Sequence, residues 1–492
     1  MKIFLIQPKT KGANFKSPPL GLQILATVLK NHGYANIYDI DPDKGDNPYT
    51  VDYSGKDVLV GITVTFMTIS EAFRLAKFIK SRNYNAKIVF GGPHVTLMPE
   101  ESITDNNVDI IVIGEGEETI VEVADSLRGG ESLEGIKGIW YKNEKDEIVK
   151  NELRAFIKDL DSIPYSDRTF FTDRKYQTRL IERLLAMPTT WHLMSARSCP
   201  FTCKMCQPAM RKIAGPWRQR SVGNVINEIK YLQQEFNARY FSFYDNDIGI
   251  NKKWIIEFCQ ELKKIKKERD ISLSCLGRAN LLDYELLKLM KESGFDAISI
   301  GAESGNNRVL KEIMDKKTTV QNIIDFVNNC YRLKIRAGAF WMMASPGETL
   351  EEMEETIDLA SELPVFYCHF HIATPNPGTQ YYLDALHGGY LNMKSWDDVH
   401  DRRNPTIIKD NVTAEDIARM DEYLIKTMVK KGWNYRLNGH TLSFINTRLF
   451  AKHDPLNVLG REIWMFLEDF KPYHFRNIYL GAKCIFGIDK SN

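Results

Sequence analysis

The chain has 492 residues, of which 43% are hydrophobic and 26% charged, with a formal net charge of +1. That length calls for more than one domain, and the apolar content is enough to build sizeable cores. A charge so near zero gives no global pull toward nucleic acid or an acidic surface. Its eight cysteines are mostly isolated, unlike a disulfide framework.

The opening M-K-I-F-L-I-Q-P reads as a first strand rather than a signal peptide, because its apolar run is only four residues long. No transmembrane segment is expected, since the apolar run at 337–344 is far too short to span a bilayer. The expected setting is cytoplasmic and reducing. Up to about residue 125, short apolar runs at 3–7, 37–40, 58–63, 87–90 and 109–113 alternate with helical periodicity at 20–31, 70–82 and 117–127. Apolar strands with helical crossovers predict a parallel sheet covered on both faces. Ligands of such sheets sit at the carboxyl ends of the strands.

Four loops fall at or near those ends: Pro18-Pro19-Leu20-Gly21-Leu22, Thr63-Val64-Thr65-Phe66-Met67, Gly91-Gly92-Pro93-His94 and Gly114-Glu115-Gly116-Glu117. Glycines there let a backbone approach a bulky ligand, and helix N-termini supply free N–H groups. Any one of them alone is a routine strand-to-helix turn. As a set, they resemble the cobalamin-binding domain found ahead of many radical S-adenosylmethionine (SAM) domains. The resemblance implies cobalamin contacts at Pro19, Leu20, Gly21, Thr63, Thr65, Phe66, Gly91, Gly92, Pro93, His94, Gly114, Glu115, Gly116 and Glu117. One departure stands out: the D-x-H-x-x-G motif, whose histidine ligates cobalt from below, is missing, and loop 8–19 holds no histidine. His94 lies in a later loop and is expected to be structural. Cobalamin is therefore implied without a histidine ligand, with loop 65–67 toward its lower side.

Residues 129–185 read as a hairpin and linker. Gly138-Ile139-Trp140-Tyr141 and Ile148-Val149 flank a charged turn, and D-L-D-S-I-P-Y-S-D at 159–167 leads onward. A strand-like run at 189–194 then precedes A-R-S-C-P-F-T-C-K-M-C-Q, which sets Cys199, Cys203 and Cys206 in C-x3-C-x2-C spacing. Three thiolates on one loop suit an iron–sulfur cluster, because soft sulfur ligands select it, and they leave a fourth iron open. A zinc site completed by His192, or three buried thiols, is the plainer reading of the same residues. With Phe201 and Met205 between the thiols, the loop resembles the signature of radical SAM enzymes. This implies a 4Fe–4S cluster whose open iron is chelated by SAM, with Phe201 and Met205 beside it.

Between 186 and 395, strands at 189–194, 240–244, 273–275, 297–301, 338–343 and 366–372 alternate with helices at 222–235, 254–266, 284–293, 320–333 and 350–363. Six such units predict a partial (β/α)6 TIM-like barrel with its site at the strand C-termini. By resemblance Arg278, Glu303 and Ser304 contact SAM, with Asp245 and Asp247 as further candidates. Glu348 reads as a helix start. Arg211, Lys212, Arg218 and Arg220 read as a solvated or domain-bridging face. The segment 396–492 breaks the rhythm; helix periodicity at 414–430 and interleaved aromatics predict a small helical substrate or cap domain.

The fold expected is thus α/β: a Rossmann-like cobalamin-binding sheet (1–128), a hairpin and linker (129–185), a partial barrel (186–395) and a helical C-terminal domain (396–492). The resemblance implies a radical SAM C-methyltransferase, a metal-binding transferase. In that family a 5′-deoxyadenosyl radical removes hydrogen from an unactivated carbon, and methylcobalamin, recharged by SAM, supplies the methyl group. The implied partners are an electron donor such as flavodoxin or ferredoxin, no nucleic acid, and a peptide, lipid, tetrapyrrole or antibiotic precursor as substrate. His371, Asn376 and Tyr381 are the candidates for handling that substrate. The alternatives are a radical SAM cyclase or rearranging enzyme, and a cobalamin- or metal-responsive binding protein.

Overall fold

Seven strands form the first sheet: β1 (Lys2–Ile6), β2 (Ile37–Ile40), β3 (Val58–Thr63), β4 (Lys87–Gly91), β5 (Ile110–Val112), β6 (Ile139–Lys142) and β7 (Ile148–Lys150). Their spatial order is β2-β1-β3-β4-β5-β6-β7. The first five run parallel, while β6 and β7 are the expected hairpin and pair antiparallel. Because strand side chains alternate faces, Phe4, Ile6, Val60 and Ile62 enter one core while Ile3, Leu5 and Leu59 enter the other. Helix Ile69–Arg82 covers the first face through Ala72, Leu75, Ala76 and Ile79. Helices Leu20–Asn31 and Glu117–Gly129 cover the second. The strand order reverses at β1, between β2 and β3, so the switch point lies there.

This computed structural model describes residues 1–10, 17–172, 189–268, 270–400, 405–409, 412–438 and 441–446. The expectations for 173–185 of the linker and for 447–492 lie outside the described residues. The described residues group into two compact units. One falls within Met1–Thr178, Pro188–Asn246 and Pro375–His400; the other falls within Asp247–Thr374 and Asp401–Asn492.

Besides the first sheet, the first unit holds β8 (Thr190–Leu193), β9 (Ala196–Arg197), β10 (Arg218–Gln219) and β11 (Tyr240–Phe243). Strand β8 pairs parallel with β11, and β9 pairs antiparallel with β10. Helix Val222–Phe236 connects β10 to β11 and starts at Ser221, whose hydroxyl accepts the Asn224 N–H.

The second unit continues the alternation with β12 (Ser272–Gly277), β13 (Phe295–Glu303), β14 (Arg336–Met343) and β15 (Tyr367–Ile372), each parallel to the next. Helices Val320–Arg332 and Leu350–Glu362 both open with a reciprocal capping box, at Thr319/Asn322 and Thr349/Glu352. Helix Ala414–Lys430 stands where its periodicity puts it. An unforeseen hairpin follows, β16 (Trp433–Asn438) and β17 (Thr441–Asn446), and β17 joins β15 antiparallel. The reason is visible in W-N-Y-R-L-N and T-L-S-F-I-N: apolar and polar residues alternate, and Trp433, Leu442 and Phe444 are buried. Among the described residues no helix is long and apolar enough to cross a membrane.

Candidate active site

At the carboxyl ends of β1, β3, β4 and β5 lies a cavity of about 670 Å³, in the size range of organic-cofactor sites. Its lining draws on each of the four loops singled out from sequence: Pro19, Leu20 and Gly21; Thr63; Gly91, Gly92 and Pro93; and Gly114, Glu115, Gly116 and Glu117. Gly21 lies inside helix Leu20–Asn31, yet a Cβ added there would meet nothing within 4 Å. A residue that weakens its helix by about 1 kcal/mol relative to alanine thus leaves open space on the cavity wall. Gly92 differs. Its φ of +102° and the Val64 carbonyl, 2.9 Å from an added Cβ, leave no room for a side chain.

Three residues expected at cobalamin are not among the lining residues. Thr65 is engaged by Thr68, whose Oγ1 accepts the Thr65 N–H at 2.9 Å, and Phe66 adjoins it in the same turn. His94 is 1% exposed; its Nε2 bonds Glu101 at 3.0 Å, and the edge of Trp396 packs against the ring. Gln7 lines the cavity at the end of β1 and was missed in the sequence.

The opposite wall of the cavity comes from both flanks of the three-cysteine loop: Ala196, Arg197 and Ser198 before it, Met210, Ile213 and Ala214 after it. Of the three cysteines on the loop, Cys203 is buried, Cys199 partly buried and Cys206 exposed. The loop turns tightly. Both Cys206 N–H and Gln207 N–H donate to the Cys203 carbonyl, at 3.0 and 2.9 Å, and Ser198 holds a left-handed φ of +72°. Its ends are tied to fixed points. Ser198 Oγ donates to the Gly215 carbonyl at 2.7 Å, and Asn246 Nδ2 donates to the Ser198 carbonyl at 3.2 Å. The middle is held from the loop after β15, where Gln380 N–H donates to Gln207 O and Tyr381 N–H to Lys204 O. This brings Tyr381, a candidate from sequence, beside the loop. Phe201 and Met205 are partly exposed, and His192, the fourth zinc ligand of the plainer reading, packs its ring on Tyr244 at 4.6 Å.

Glu115 and Glu117 are spent on arginines. Glu115 Oε1 accepts from Arg197 Nη1 at 2.6 Å and from Arg218 Nη2 at 2.9 Å, while Oε2 accepts from Arg218 Nη1 at 3.0 Å and from Ile157 N–H at 2.7 Å. Glu117 accepts from Arg197 Nη2. Burial works to raise the Glu115 pKa, but Arg218 and Arg197 outweigh it and hold the carboxyl below its ordinary value. Arg218, read from sequence as a solvated or bridging residue, is thus a bridge.

Asp245 also turns inward. It is 1% exposed and accepts Ser195 Oγ at 2.6 Å and Ser195 N–H at 2.9 Å, so it ties the ends of β8 and β11. Burial pushes its pKa up to about 6 against those hydrogen bonds.

In the second unit, Asp247, Arg278 and Glu303 stand at the ends of their strands with a residue the sequence reading missed, Lys316. Lys316 Nζ reaches Glu303 Oε1 at 3.1 Å. Glu303 adopts a φ of +66°, and a Cβ at Gly301 would sit 2.2 Å from its Oε1, so glycine is what lets that carboxylate fold back over β13. Asp247 Oδ1 accepts the Gly249 N–H at 2.9 Å, whereas its Oδ2 is buried without a hydrogen-bond partner. Burial pushes Asp247 up to about 6, opposed by Gly249 and by the charges of Arg278 and Lys316. Ser304 is fully buried, with Oγ 3.1 Å from Thr356 Oγ1. His371 lies on β15 with its ring 6.4 Å from Phe340, and Asn376 Oδ1 is buried without a partner.

Comparison with known proteins gives this arrangement a family. Residues 193–360 match the radical SAM superfamily and residues 11–124 the B12 binding domain. The chain is 32% identical over 429 residues to the uncharacterized methyltransferase PH0819 of Pyrococcus horikoshii, covering 85% of this chain and 90% of that one. It is 27% identical to the anaerobic magnesium-protoporphyrin IX monomethyl ester cyclase of Cereibacter sphaeroides, over 77% of this chain and 63% of the relative. The fold is similar to that of the radical SAM methyltransferase TsrM from Kitasatospora setae, solved with cobalamin and a 4Fe–4S cluster, at a TM-score of 0.66 and 15% identity over 88% of this chain and 89% of that one. The open wall at Gly21 and the glycine-lined strand ends fit cobalamin, and three cysteines on one turn have the soft donor chemistry of a cluster. The chain belongs to the cobalamin-binding radical SAM enzymes, a methyltransferase-like family whose cofactors are a 4Fe–4S cluster, SAM and cobalamin.

Proposed function

We propose that this protein is a cobalamin-dependent radical SAM methyltransferase that methylates an unactivated carbon. The observation that carries the reading is the shared cavity: one wall is the glycine-rich rim of the B12-type sheet, the other is the two flanks of the cysteine loop. When bound, the cluster and SAM supply a one-electron route to a carbon radical and cobalamin supplies a methyl carrier. An sp3 carbon is no nucleophile, so a general base cannot prepare it for ordinary methyl transfer; holding the reactants together in one dry cavity is the work left to the protein.

In this reading Cys199, Cys203 and Cys206 hold the cluster, with Phe201 and Met205 alongside. Arg278 pairs with a carboxylate of SAM, while Asp247 and Glu303 serve its amino and ribose groups, and Asp245 and Ser304 hold the strand ends that present them. Pro19 to Gly21, Thr63, Gly91 to Pro93, Gly114 and Gly116 cradle the corrinoid. No histidine lines the cavity among the described residues, so the corrinoid would be held there without one. The apolar side chains Met194, Met210 and Ile213 exclude water from the opposite wall. His371, Asn376 and Tyr381 are the candidates for orienting substrate.

Peptides, lipids, tetrapyrroles and antibiotic precursors are the substrate classes in view. The electron donor is of the flavodoxin or ferredoxin type, and the compartment is the cytoplasm. A ring-forming radical enzyme is the second reading, favoured by the 27% identity to a cyclase. Anaerobic reconstitution with SAM carrying a deuterated methyl group separates the two. The methyltransferase yields S-adenosylhomocysteine, 5′-deoxyadenosine and a labelled product. A cyclase yields 5′-deoxyadenosine and no labelled product, which would overturn the proposal.

A further inference from the structure

Glu115 stands where four separate pieces of the first unit meet. Its own loop follows β5 and lines the cavity. Arg197, two residues before Cys199, donates to it at 2.6 Å. Arg218 grips both of its oxygens in a fork, at 2.9 and 3.0 Å, and with the same guanidinium donates to the carbonyls of Ala214 and Ile157. Ala214 ends the helix Ala209–Ala214 that starts three residues after Cys206. One carboxylate therefore clamps the chain entering the cysteine loop and, through Arg218, the chain leaving it. The linker is held too, by Ile157 N–H at 2.7 Å.

The clamp is stiff. Arg197 and Arg218 face each other across the β9–β10 pair, and all three charged groups are about nine-tenths buried. A fork of two parallel N–H···O bonds fixes angle as well as distance. At the base of the fork, Gly215 holds a φ of +67°, and the Phe156 ring would lie 2.5 Å from any Cβ there. The cavity rim formed by Gly114 and Gly116 and the cavity wall formed by Met210, Ile213 and Ala214 are thus parts of one rigid arrangement.

We infer that Glu115 is a positioning residue that couples the two cofactor sites: filling the corrinoid cavity steadies the cysteine loop, and a filled cysteine loop steadies the cavity. The inference rests on the cofactor reading above and adds to it. Coupling between sites is reciprocal, so it is measurable from either side. Glu115 does not contact the corrinoid in this account; its effect passes through Arg197 and Arg218.

The test uses the full chain under anaerobic conditions. Hydroxocobalamin is titrated by visible absorption into protein with and without its reconstituted cluster. Iron release to a chelator is timed with and without hydroxocobalamin. In the wild type, the cluster tightens hydroxocobalamin binding by about fivefold or more, the lower end of usual coupling factors, and hydroxocobalamin slows iron release. Glu115→Gln keeps both cofactors but brings the ratio to about one. Arg218→Lys, which replaces the fork with a single point charge, lowers the ratio as well and serves if Glu115→Gln folds poorly. Glu122→Gln, on the outer side of helix Glu117–Gly129, keeps the wild-type ratio. A wild-type ratio of one, or variants that keep the wild-type ratio, overturns the inference while leaving the cofactor reading intact. Wild type that takes up iron but no hydroxocobalamin overturns both.

Discussion

Two buried glutamates that each follow a glycine in a strand-end loop, Glu115 after β5 and Glu348 after β14, are opposite kinds of acid. Glu115 receives four hydrogen bonds, three of them from guanidinium groups, and its carboxyl stays below its ordinary value despite burial. Glu348 is 2% exposed; the Ser345 N–H donates to its Oε2 at 2.9 Å, while Oε1 has no partner. Burial pushes Glu348 up to about 8. The nearby cation Arg308 is no remedy, because it is committed to Glu352 at 2.6 Å through both Nε and Nη2. Desolvation is common to both loops, so the partner cations decide which acid is charged at neutral pH. One loop is a charged clamp beside a cavity. The other is a neutral acid in a packed turn.

The contrast is functional only if the cavity beside Glu115 adjoins a working cluster loop. Replacing Cys199, Cys203 or Cys206 by serine takes away a thiolate, so iron incorporation and 5′-deoxyadenosine formation should fall to background while cobalamin still binds. Iron analysis and a single-turnover assay check this. Retained turnover in all three variants would break the link between cavity and loop. Next in size is Glu115→Ala. It leaves the buried Arg218 guanidinium without a carboxylate and Arg197 with Glu117 alone, and should cost roughly 3–5 kcal/mol, read from urea unfolding of the apo protein. The penalty from Glu115 pairing should shrink in acid. A depressed carboxyl contributes stability above its unfolded value that disappears as pH falls through the folded one.

Glu348 should show the reverse. Its folded value lies above the ordinary 4.5, so the folded state keeps a proton that the unfolded chain releases. The stability this gives is fully present below about pH 4.5 and is lost as pH rises toward 8. Glu348→Gln carries a permanently neutral group of similar shape, so its advantage over wild type should grow by about 2–4 kcal/mol between pH 5 and pH 8. Thermal unfolding at the two pH values measures it. A constant difference would mean that Glu348 is ionised in the folded protein, and the contrast between the two glutamates would close.

What sequence could and could not reveal follows the range of the interactions. Strands and helices are set by neighbours a few residues apart. Helix Tyr284–Ser293 begins at Asp283, whose side chain accepts the Leu286 N–H, and stops at Gly294 in a left-handed conformation; both signals are local. The loops lining the cavity were legible because glycines at strand ends have a meaning of their own. The clamp was not, since Arg197 and Arg218 lie 82 and 103 residues from Glu115 and nothing local marks an arginine as paired. For the same reason Lys316 passed unnoticed: its partner Glu303 lies 13 residues away, across the short π-helical turn Val309–Ile313. Glu348 looked like a helix-start acid. Thr349 and Glu352 supply the cap instead, which leaves Glu348 free to turn inward. The hairpin β16–β17 was obscured by reading its aromatics as helical core, although the Asn438-Gly439 dipeptide between two alternating runs is a strong hairpin signal.

Space is the last difference between the two regions, and it carries the smallest expected effect. In the packed second unit, a methyl group at Gly305 would lie 2.7 Å from Thr356 Cα, so that glycine is there for lack of room. Gly21, on the cavity wall, is surrounded by emptiness. Gly21→Ala should stabilise its helix by up to about 1 kcal/mol, because alanine forfeits less backbone entropy on folding. The same methyl group projects into the space assigned to the corrinoid, so hydroxocobalamin affinity should fall even as the apo protein melts at a higher temperature. Stability and affinity moving in opposite directions is the mark of a residue kept small for a ligand. If both rise together, the open space at Gly21 is not where the corrinoid lies, and the cofactor must be sought nearer the β3 and β4 ends of the cavity.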